Sequence, residues 1–568
     1  LALPAVPFVI GMLMVLEFIK DDAYISFRYA YNLVHGEGLV FNPGERLEGI
    51  TNFFWTLLLT PFEALGLDLF QVCELLGTAI AIGCLVLVAR LTAFLEEGRS
   101  GLGWYLWGAF WLASSGSFAV YTNSGLEQPL AALLPLAGAV VLYRNRARSR
   151  SDEPAAVARG YLVAGLLLGA GCLTRPELHL SAVLVALPAL YDVARARRIE
   201  RPEWRLVAGV LGVTAPAHLF RYLYYGSLIP NTFYVKTSSD SGVLKQGLDT
   251  LRDMFAFNYT GLLLVLAPLA FLSRRRSLEK LSCLAISVAF LAYYARVGVD
   301  EMHWHRLYIP ALPFACALAA AGASNLLVLL RDALRLPRPA HLALLAAGWV
   351  GVSWWVYQDL RVTYQAHGGF NGYADFAGTF HPDMGKFLVR HERPGGLVAF
   401  QDMGSTPYHA PDLKFLDFFG LVDGTVAHAR HAHGLHTFIY NNPMAQRAYD
   451  AEMRDYFFRR NPEWTIMTIY SNGPERRRVA EAFQADPTGG AFGHFYRNNP
   501  VQFGLWDDAR FSARYVPVRT WPRSSGYYLA LWRRRDLWEQ TPREVVLDAP
   551  PPNLQGPRVM FEGGLELL

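Results

Sequence analysis

Apolar runs recur along residues 1–358 at lengths close to what a bilayer demands, and this alternation commits the chain to a helical membrane core before any motif is considered. A membrane-crossing helix needs about 20 mostly apolar residues, and about eleven segments approach that length. They lie near Leu3–Ile19, Leu69–Phe94, Gly103–Val120, Leu126–Tyr143, Gly160–Leu173, Leu178–Val193, Leu206–Leu219, Thr260–Leu272, Leu281–Ala295, Tyr308–Leu330 and His341–Tyr357. A content of 52% hydrophobic against 18% charged residues fits this reading and is too apolar for stacked soluble domains. The first segment has no small-residue cleavage site before Lys20, so it is expected to be a retained membrane helix whose beginning precedes Leu1.

The loops sort by charge. If the first helix runs outward, the inner loops are "EEGRSG", "YRNRARSRSDEPAAVARG", "ARARRIERPEWR", "SRRRSLEK" and "RDALRLPRP", and four of these five are dense in Arg. Short basic loops stay on the cytoplasmic side. The alternate loops then face outward, and they carry mixed, chemically capable side chains; the expected location is a bacterial inner membrane with the active face extracytoplasmic. Within the first outer loop, residues 20–68, the segment Asn52–Gly66 is apolar, short and interrupted by Pro61, and is expected to lie along the interface. From residue 359 to 568 the long apolar runs stop. There "GGLVAF", "KFLDFFG" and "GYYLALW" read as strands separated by turn-rich stretches, so an extracytoplasmic α/β domain is expected after a membrane core of residues 1–358.

Several chemistries are unsupported. The formal charge of +4 is small and gathers in short inner loops, which gives no case for nucleic acid. Cys73, Cys84, Cys172, Cys283 and Cys316 all sit in apolar segments and read as small core residues. No phosphate-binding G-x-x-x-x-G-K-[ST] or dinucleotide fingerprint occurs, so a nucleotide-sugar donor has no motif to hold it. His428, His431, His433 and His436 cluster in the tail without Cys or carboxylate partners at zinc-site spacing, which favours a polar or acceptor-binding strip over a metal site.

What the outer loops do offer is carboxylates and cations. Asp21 and Asp22 stand at the outer end of the first helix, where a neighbouring carboxylate raises proton affinity and suits one of them to general-base work. The bland alternative is a solvated pair marking a helix end. Arg175 lies between two hydrophobic segments, and Arg221, Lys236, Arg296, Arg306, His303 and His305 lie at other outer helix ends. Singly, each is more often an interfacial anchor. Gathered at one depth, they suit a lipid-borne phosphate.

The stretches "DDAYISFRYAYNLVHGEGLVFNPGERLEGITNFFW", "SGLEQPL", "LTRPE", "YYGSLIPNTFYVK" and "DEMHWHRLYIPALP" resemble, in order and spacing, the polyprenyl-phosphate-sugar-dependent GT-C glycosyltransferases, in the branch of the terminal arabinofuranosyltransferases. The tail resembles them more loosely, through "FQDMGSTPYHAPDLKFLDFFGLVDG". The resemblance implies a polytopic α-helical membrane core and an outer acidic motif holding the catalytic Asp at Asp21 or Asp22, with Asp21 favoured as base and Asp22 as its orienting or metal-contacting neighbour. It also implies donor-phosphate binding by Arg28, Arg175, Lys236, His303, His305 and Arg306, and substrate binding by Tyr24, Glu48, Glu127, Glu177 and Asn231. The stretch "VGVDEMHWHR" departs from the family's pattern, which leaves His303 and His305 between phosphate contact and an acceptor wall. No metal ligand is assigned; no cofactor is certain and a divalent cation is possible, since paired Asp is a weak signal for one.

The activity implied is transfer of a sugar, arabinofuranose as the best guess, from a polyprenyl-phosphate-linked donor in the membrane lipid to a glycan, glycolipid or protein acceptor. The rival is a transporter or flippase of lipid-linked sugars, which would place ionisable groups or broken helices at mid-membrane. Here the polar groups collect at one face. A third reading makes the tail a glycan-binding module and the core its anchor.

Overall fold

The computed structural model describes residues 2–16, 18–96, 105–148, 154–236, 242–257, 260–297, 305–335, separate positions between 337 and 354, 380–435, 443–470, 502–505, 508–522 and 527–540. They form two compact units, each discontinuous in sequence. The first comprises Leu1–Phe18, Thr51–Leu228 and Ser241–His367; the second comprises Ile19–Ile50, Ile229–Asp240 and Gly368–Leu568.

The first unit is helical. Six of its described helices are long and apolar enough to cross a membrane: Leu69–Glu96, Ala155–Thr174, Leu178–Ala196, Pro202–Tyr225, Ser277–Val297 and Leu312–Ala333. A seventh span results if Gly116–Asn123 and Gln128–Ala147, which meet at 112°, are taken as one. The expectation of about eleven spans is therefore not met among the described residues. The physical reason is that apolarity does not guarantee an unbroken backbone. The segment at Gly103–Val120 breaks at Ser114 and Ser115, where Ser115 Oγ accepts the Phe118 N–H at 3.2 Å and starts a new helix. The run at Thr260–Leu272 divides into an α-helix, Thr260–Leu266, and a 3₁₀ helix, Ala267–Leu272, with Pro268 in its first turn. The first apolar run makes a helix of only 13 residues, Ala2–Met14. The run at His341–Tyr357 lies mostly outside the described residues. The interfacial candidate Asn52–Gly66 contains a 12-residue helix, Phe53–Ala64, with Pro61 inside it.

Small residues bring these helices together. A Cβ on Gly165 would meet the Leu206 carbonyl, and one on Gly209 would stand 2.6 Å from the Leu162 carbonyl, so the helices Pro154–Thr174 and Arg201–Tyr225 cross backbone against backbone. Gly165 and Gly169 are four apart on one helix face, the spacing that lets membrane helices approach closely.

The second unit is α/β. Its sheet contains β1 (Leu397–Phe400), β2 (Lys414–Asp417), β3 (Trp464–Tyr470), β4 (Tyr515–Pro522) and β5 (Tyr527–Arg534), in the order β2-β1-β3-β5-β4. The pairs β1/β2 and β1/β3 are parallel, while β3/β5 and β4/β5 are antiparallel. The three strands expected from the sequence are β1, β2 and β5. β1 is apolar and buried along Val398, Ala399 and Phe400, as a strand covered on both faces must be. Arg533 and Glu392 form a buried ion pair, to which the Trp464 indole donates at 2.9 Å, tying the end of helix His381–His391 to the sheet.

The glycine crossing yields a paired prediction. Gly165→Ala places a methyl against backbone and is expected to cost about 1–3 kcal/mol as overpacking. Gly212→Ala, on the same partner helix but with nothing within 4 Å, is expected to leave stability unchanged or raise it. Melting of the purified variants in detergent distinguishes the two; equal melting temperatures would refute the close crossing.

Candidate active site

In the second unit the first outer loop is built onto the C-terminal α/β region. Helix Ala23–Val34 carries Arg28, which is fully buried. Its Nε donates to the Phe41 carbonyl at 2.8 Å, Nη2 to Leu413 at 2.6 Å, and Nη1 to Ala410 at 3.1 Å and also to Pro407. The rings of Phe41 and Phe415 lie 4.8 and 5.1 Å from the guanidinium carbon. Asn42 completes the join at the sheet edge. Its amide donates to the Phe415 carbonyl at 2.8 Å and accepts the Phe415 N–H at 2.9 Å, so the side chain pairs with β2 as another strand would.

This join positions Asp21. One carboxylate oxygen accepts the Ser405 N–H at 2.8 Å and the other the Gly404 N–H at 3.0 Å. A Cβ at position 404 would overlap the Asp21 carbonyl, so only glycine allows the approach. Burial, then the negative charge of Asp402, push the Asp21 carboxyl up from the ordinary carboxylate range to about 7, against the opposing pull of the Ser405 N–H. Asp22 is more open: it precedes the helix without capping it through its side chain. The Tyr24 ring lies 5.5 Å from Tyr408 and 5.8 Å from His409, and the buried His381 holds Nε2 3.8 Å from Asp402 Oδ2.

The other candidates of this unit lie on a neighbouring seam. Asn231 donates through Nδ2 to the carbonyls of Gly420 at 2.6 Å and Leu421 at 3.0 Å, and its backbone N–H donates to the Glu48 carbonyl at 2.8 Å. The loop that supplies those carbonyls is held by Asp417, whose oxygens accept the N–H groups of Phe419 at 2.8 Å and Val422 at 3.0 Å. Lys236 ends the short helix Thr232–Lys236, in which Tyr234 meets His428 edge-on at 4.4 Å and His431 at 5.5 Å. His433 pairs with Glu452 at 2.9 Å, and His436 lies outside the described residues.

The first unit holds a separate polar cluster. Glu127, at the start of Gln128–Ala147, receives Arg175 Nη1 at 2.5 Å and the Asn52 amide at 2.9 Å, and Arg175 also pairs with Glu177. Three of the residues expected to meet substrate thus neutralise one another in a buried network. His305 has a left-handed backbone (φ 52°) and precedes a 3₁₀ turn, Arg306–Tyr308, in which Arg306 is buried; His303 lies outside the described residues. Arg221 lies over the Phe53 ring at 5.2 Å.

Arg28 directs four of its five N–H donors to backbone carbonyls and is closed to solvent. Arg175 is shared between two carboxylates, which cancels most of the field it would offer an anion. Sequence reasoning missed Asp402 and His381. The signal was present in "FQDMGSTPYHAPD", where a polar turn follows directly on an apolar strand. Among the described residues no three His, Cys, Asp or Glu side chains converge as a metal's donor set.

Residues 370–537 match a family described as a domain of unknown function, DUF8728. Over 337 residues the chain is 27% identical to the terminal beta-(1->2)-arabinofuranosyltransferase of Corynebacterium glutamicum, covering 52% of this chain and 46% of that protein. It is 31% identical over 236 residues to the enzyme of the same name from Mycobacterium tuberculosis, covering 39% of this chain and 35% of that one. The chain thus spans less than half the length of these curated relatives. The oligosaccharyltransferase of Archaeoglobus fulgidus in its apo form shares the fold, with a TM-score of 0.51 at 10% identity over 91% of this chain and 73% of that one. The likeness to terminal arabinofuranosyltransferases drawn from the outer-loop motifs is borne out by these matches, as is the fold class of a membrane-embedded helical core with an α/β region.

Replacing Arg28 by Met would leave the Leu413 carbonyl buried without its donor, while the carbonyls of Phe41, Pro407 and Ala410 would keep the Asn32 amide and the N–H groups of Ala410 and Leu413. The expected loss is about 1–3 kcal/mol, the cost of an abandoned buried acceptor. Thermal melting of purified Arg28→Met checks this, and a melting temperature equal to wild type would refute the clasp.

Proposed function

We propose that this chain is a membrane glycosyltransferase that moves a sugar, arabinofuranose by preference, from a polyprenyl-phosphate donor to a glycan, glycolipid or protein acceptor outside the inner membrane of a bacterium. The single observation that carries the reading is Asp21. It is a buried carboxylate, held by two backbone N–H groups and with a proton affinity lifted to about 7 by burial and by Asp402. A base so tuned accepts a proton readily at neutral pH without being saturated by it.

The chemistry balances with the chain's own groups. The acceptor hydroxyl oxygen forms a bond to the anomeric carbon, its proton passes to Asp21, and the bond from that carbon to the phosphate oxygen breaks. The electron pair leaves with polyprenyl phosphate, so neither nucleotide nor ATP is consumed. Lys236, His305 and Arg306 remain proposed partners for the donor phosphate, each able to offset charge on the leaving group. Tyr24, Glu48, Glu127, Glu177 and Asn231 remain proposed substrate residues; for Glu48 and Asn231 the role is to shape the seam at Gly420 and Leu421. The similarity to arabinofuranosyltransferases supports the choice of sugar.

The test is release of polyprenyl phosphate by the purified protein in nanodiscs, supplied with a panel of synthetic polyprenyl-phosphate sugars and cell-envelope acceptors. One donor is expected to support release, and Asp21→Asn is expected to lower it by about 10²–10⁴-fold, the usual worth of a general base. Because the base acts deprotonated, the rate is expected to rise with pH through about 7 and level off above it. Saturable donor binding without release would instead support a transporter of lipid-linked sugars.

A further inference from the structure

We propose that Asp402 is a positioning residue for Asp21, a second carboxylate placed beside the base by the same turn that holds it, and that His381 regulates the charge Asp402 presents. The inference rests on Asp21 as the base of the proposed transfer. The carboxylate of Asp21 is seated on the N–H groups of Gly404 and Ser405, two and three residues after Asp402, so base and second carboxylate are fixed by one short stretch of backbone. The chain tolerates this proximity of like charges at a buried position, although either residue as an amide would relieve it.

His381 supplies the control. His381 Nδ1 lies 2.6 Å from the Thr406 hydroxyl oxygen, and the other ring nitrogen, Nε2, stands 3.8 Å from Asp402 Oδ2. While His381 is neutral, the charge of Asp402 raises the proton affinity of Asp21. When the ring becomes an imidazolium, it offsets that charge and Asp21 becomes a weaker base. Asp22 also raises the proton affinity of Asp21 by its charge, and Tyr408 and His409, on the short helix Ser405–Tyr408 and its end, pack against Tyr24. Arg28, from helix Ala23–Val34, directs its charge to the carbonyls of Phe41, Pro407, Ala410 and Leu413. Asp402 is thus the facing carboxylate whose own partner is titratable.

The test reads the proton on Asp21 directly. Full-length protein in nanodiscs is treated with dicyclohexylcarbodiimide, which modifies protonated carboxyls, from about pH 5 to about pH 9, and modification of Asp21 is quantified by peptide mass spectrometry. Half-modification is expected near pH 7 in wild type. In Asp402→Asn the midpoint is expected to fall by about one unit or more, a tenfold change in proton concentration. Asp402→Glu is expected to restore it. His381→Asn, which keeps a donor for Thr406 but cannot become a cation, is expected to move the midpoint upward, a sign that mere loosening of the turn would not give. An unchanged midpoint in Asp402→Asn overturns the proposal, as does an Asp21 that is never modified. If Asp402→Asn does not fold, a downward or absent shift in His381→Asn overturns it instead. Failure to turn over any donor would defeat the transferase reading and leave this titration to decide Asp402 separately.

Discussion

A guanidinium closed away from water must find hydrogen-bond acceptors for its N–H groups or be expelled, and the second unit is organised around the way Arg28 meets that demand. Its acceptors are not a carboxylate but the carbonyls of Phe41, Pro407, Ala410 and Leu413, drawn from stretches more than 360 residues apart in sequence. The Leu413 carbonyl in the turn before β2 is thereby satisfied, those of Pro407 and Ala410 gain a second donor, and the first outer loop becomes part of the α/β region. Asn42, pairing with β2 through its side chain, closes the sheet edge on the same side.

From that join follow the electrostatics of Asp21. Three kinds of buried charge occur in this protein, and they differ in what remains available for chemistry. Arg28 has its donors committed. Arg175 is shared between Glu127 and Glu177 in a buried network. The backbone N–H groups of Gly404 and Ser405 support the negative form of Asp21, and they do not outweigh burial and Asp402. Asp417 has a similar environment, with its carboxyl likewise raised to about 7 by burial, but its oxygens organise the Phe418–Val422 loop. The two carboxylates differ in position: Asp417 lies at the end of β2 inside its own loop, whereas Asp21 lies just before the helix Ala23–Val34, which bears Tyr24, and adjoins the more open Asp22.

Much of the architecture was legible. The Arg-dense loops separated the apolar segments, and "GGLVAF", "KFLDFFG" and "GYYLALW" became strands because runs of that composition bury well in a sheet covered by helices. The count of spans was not legible, because Ser114, Ser115 and Pro268 interrupt the backbone in segments whose hydropathy is unbroken. Of the candidate residues, Asp21 is buried on two backbone N–H groups and Arg28 is bound to backbone carbonyls. A sequence shows that an arginine is near an acidic motif; it does not show that carbonyls far along the chain will occupy its donors.

The amino-acid sequence by itself determined the membrane core, the α/β tail and the pair of carboxylates at the start of the first outer loop, because hydropathy, charge bias and strand patterning are local properties. Only the tertiary structure decided which carboxylate is buried, which cations are already spent, and that His381 stands beside Asp402, whose charge acts on Asp21. Proton affinity depends on burial and on charges brought close by folding, and residues 21, 381 and 402 come together across a separation in sequence that no local pattern records.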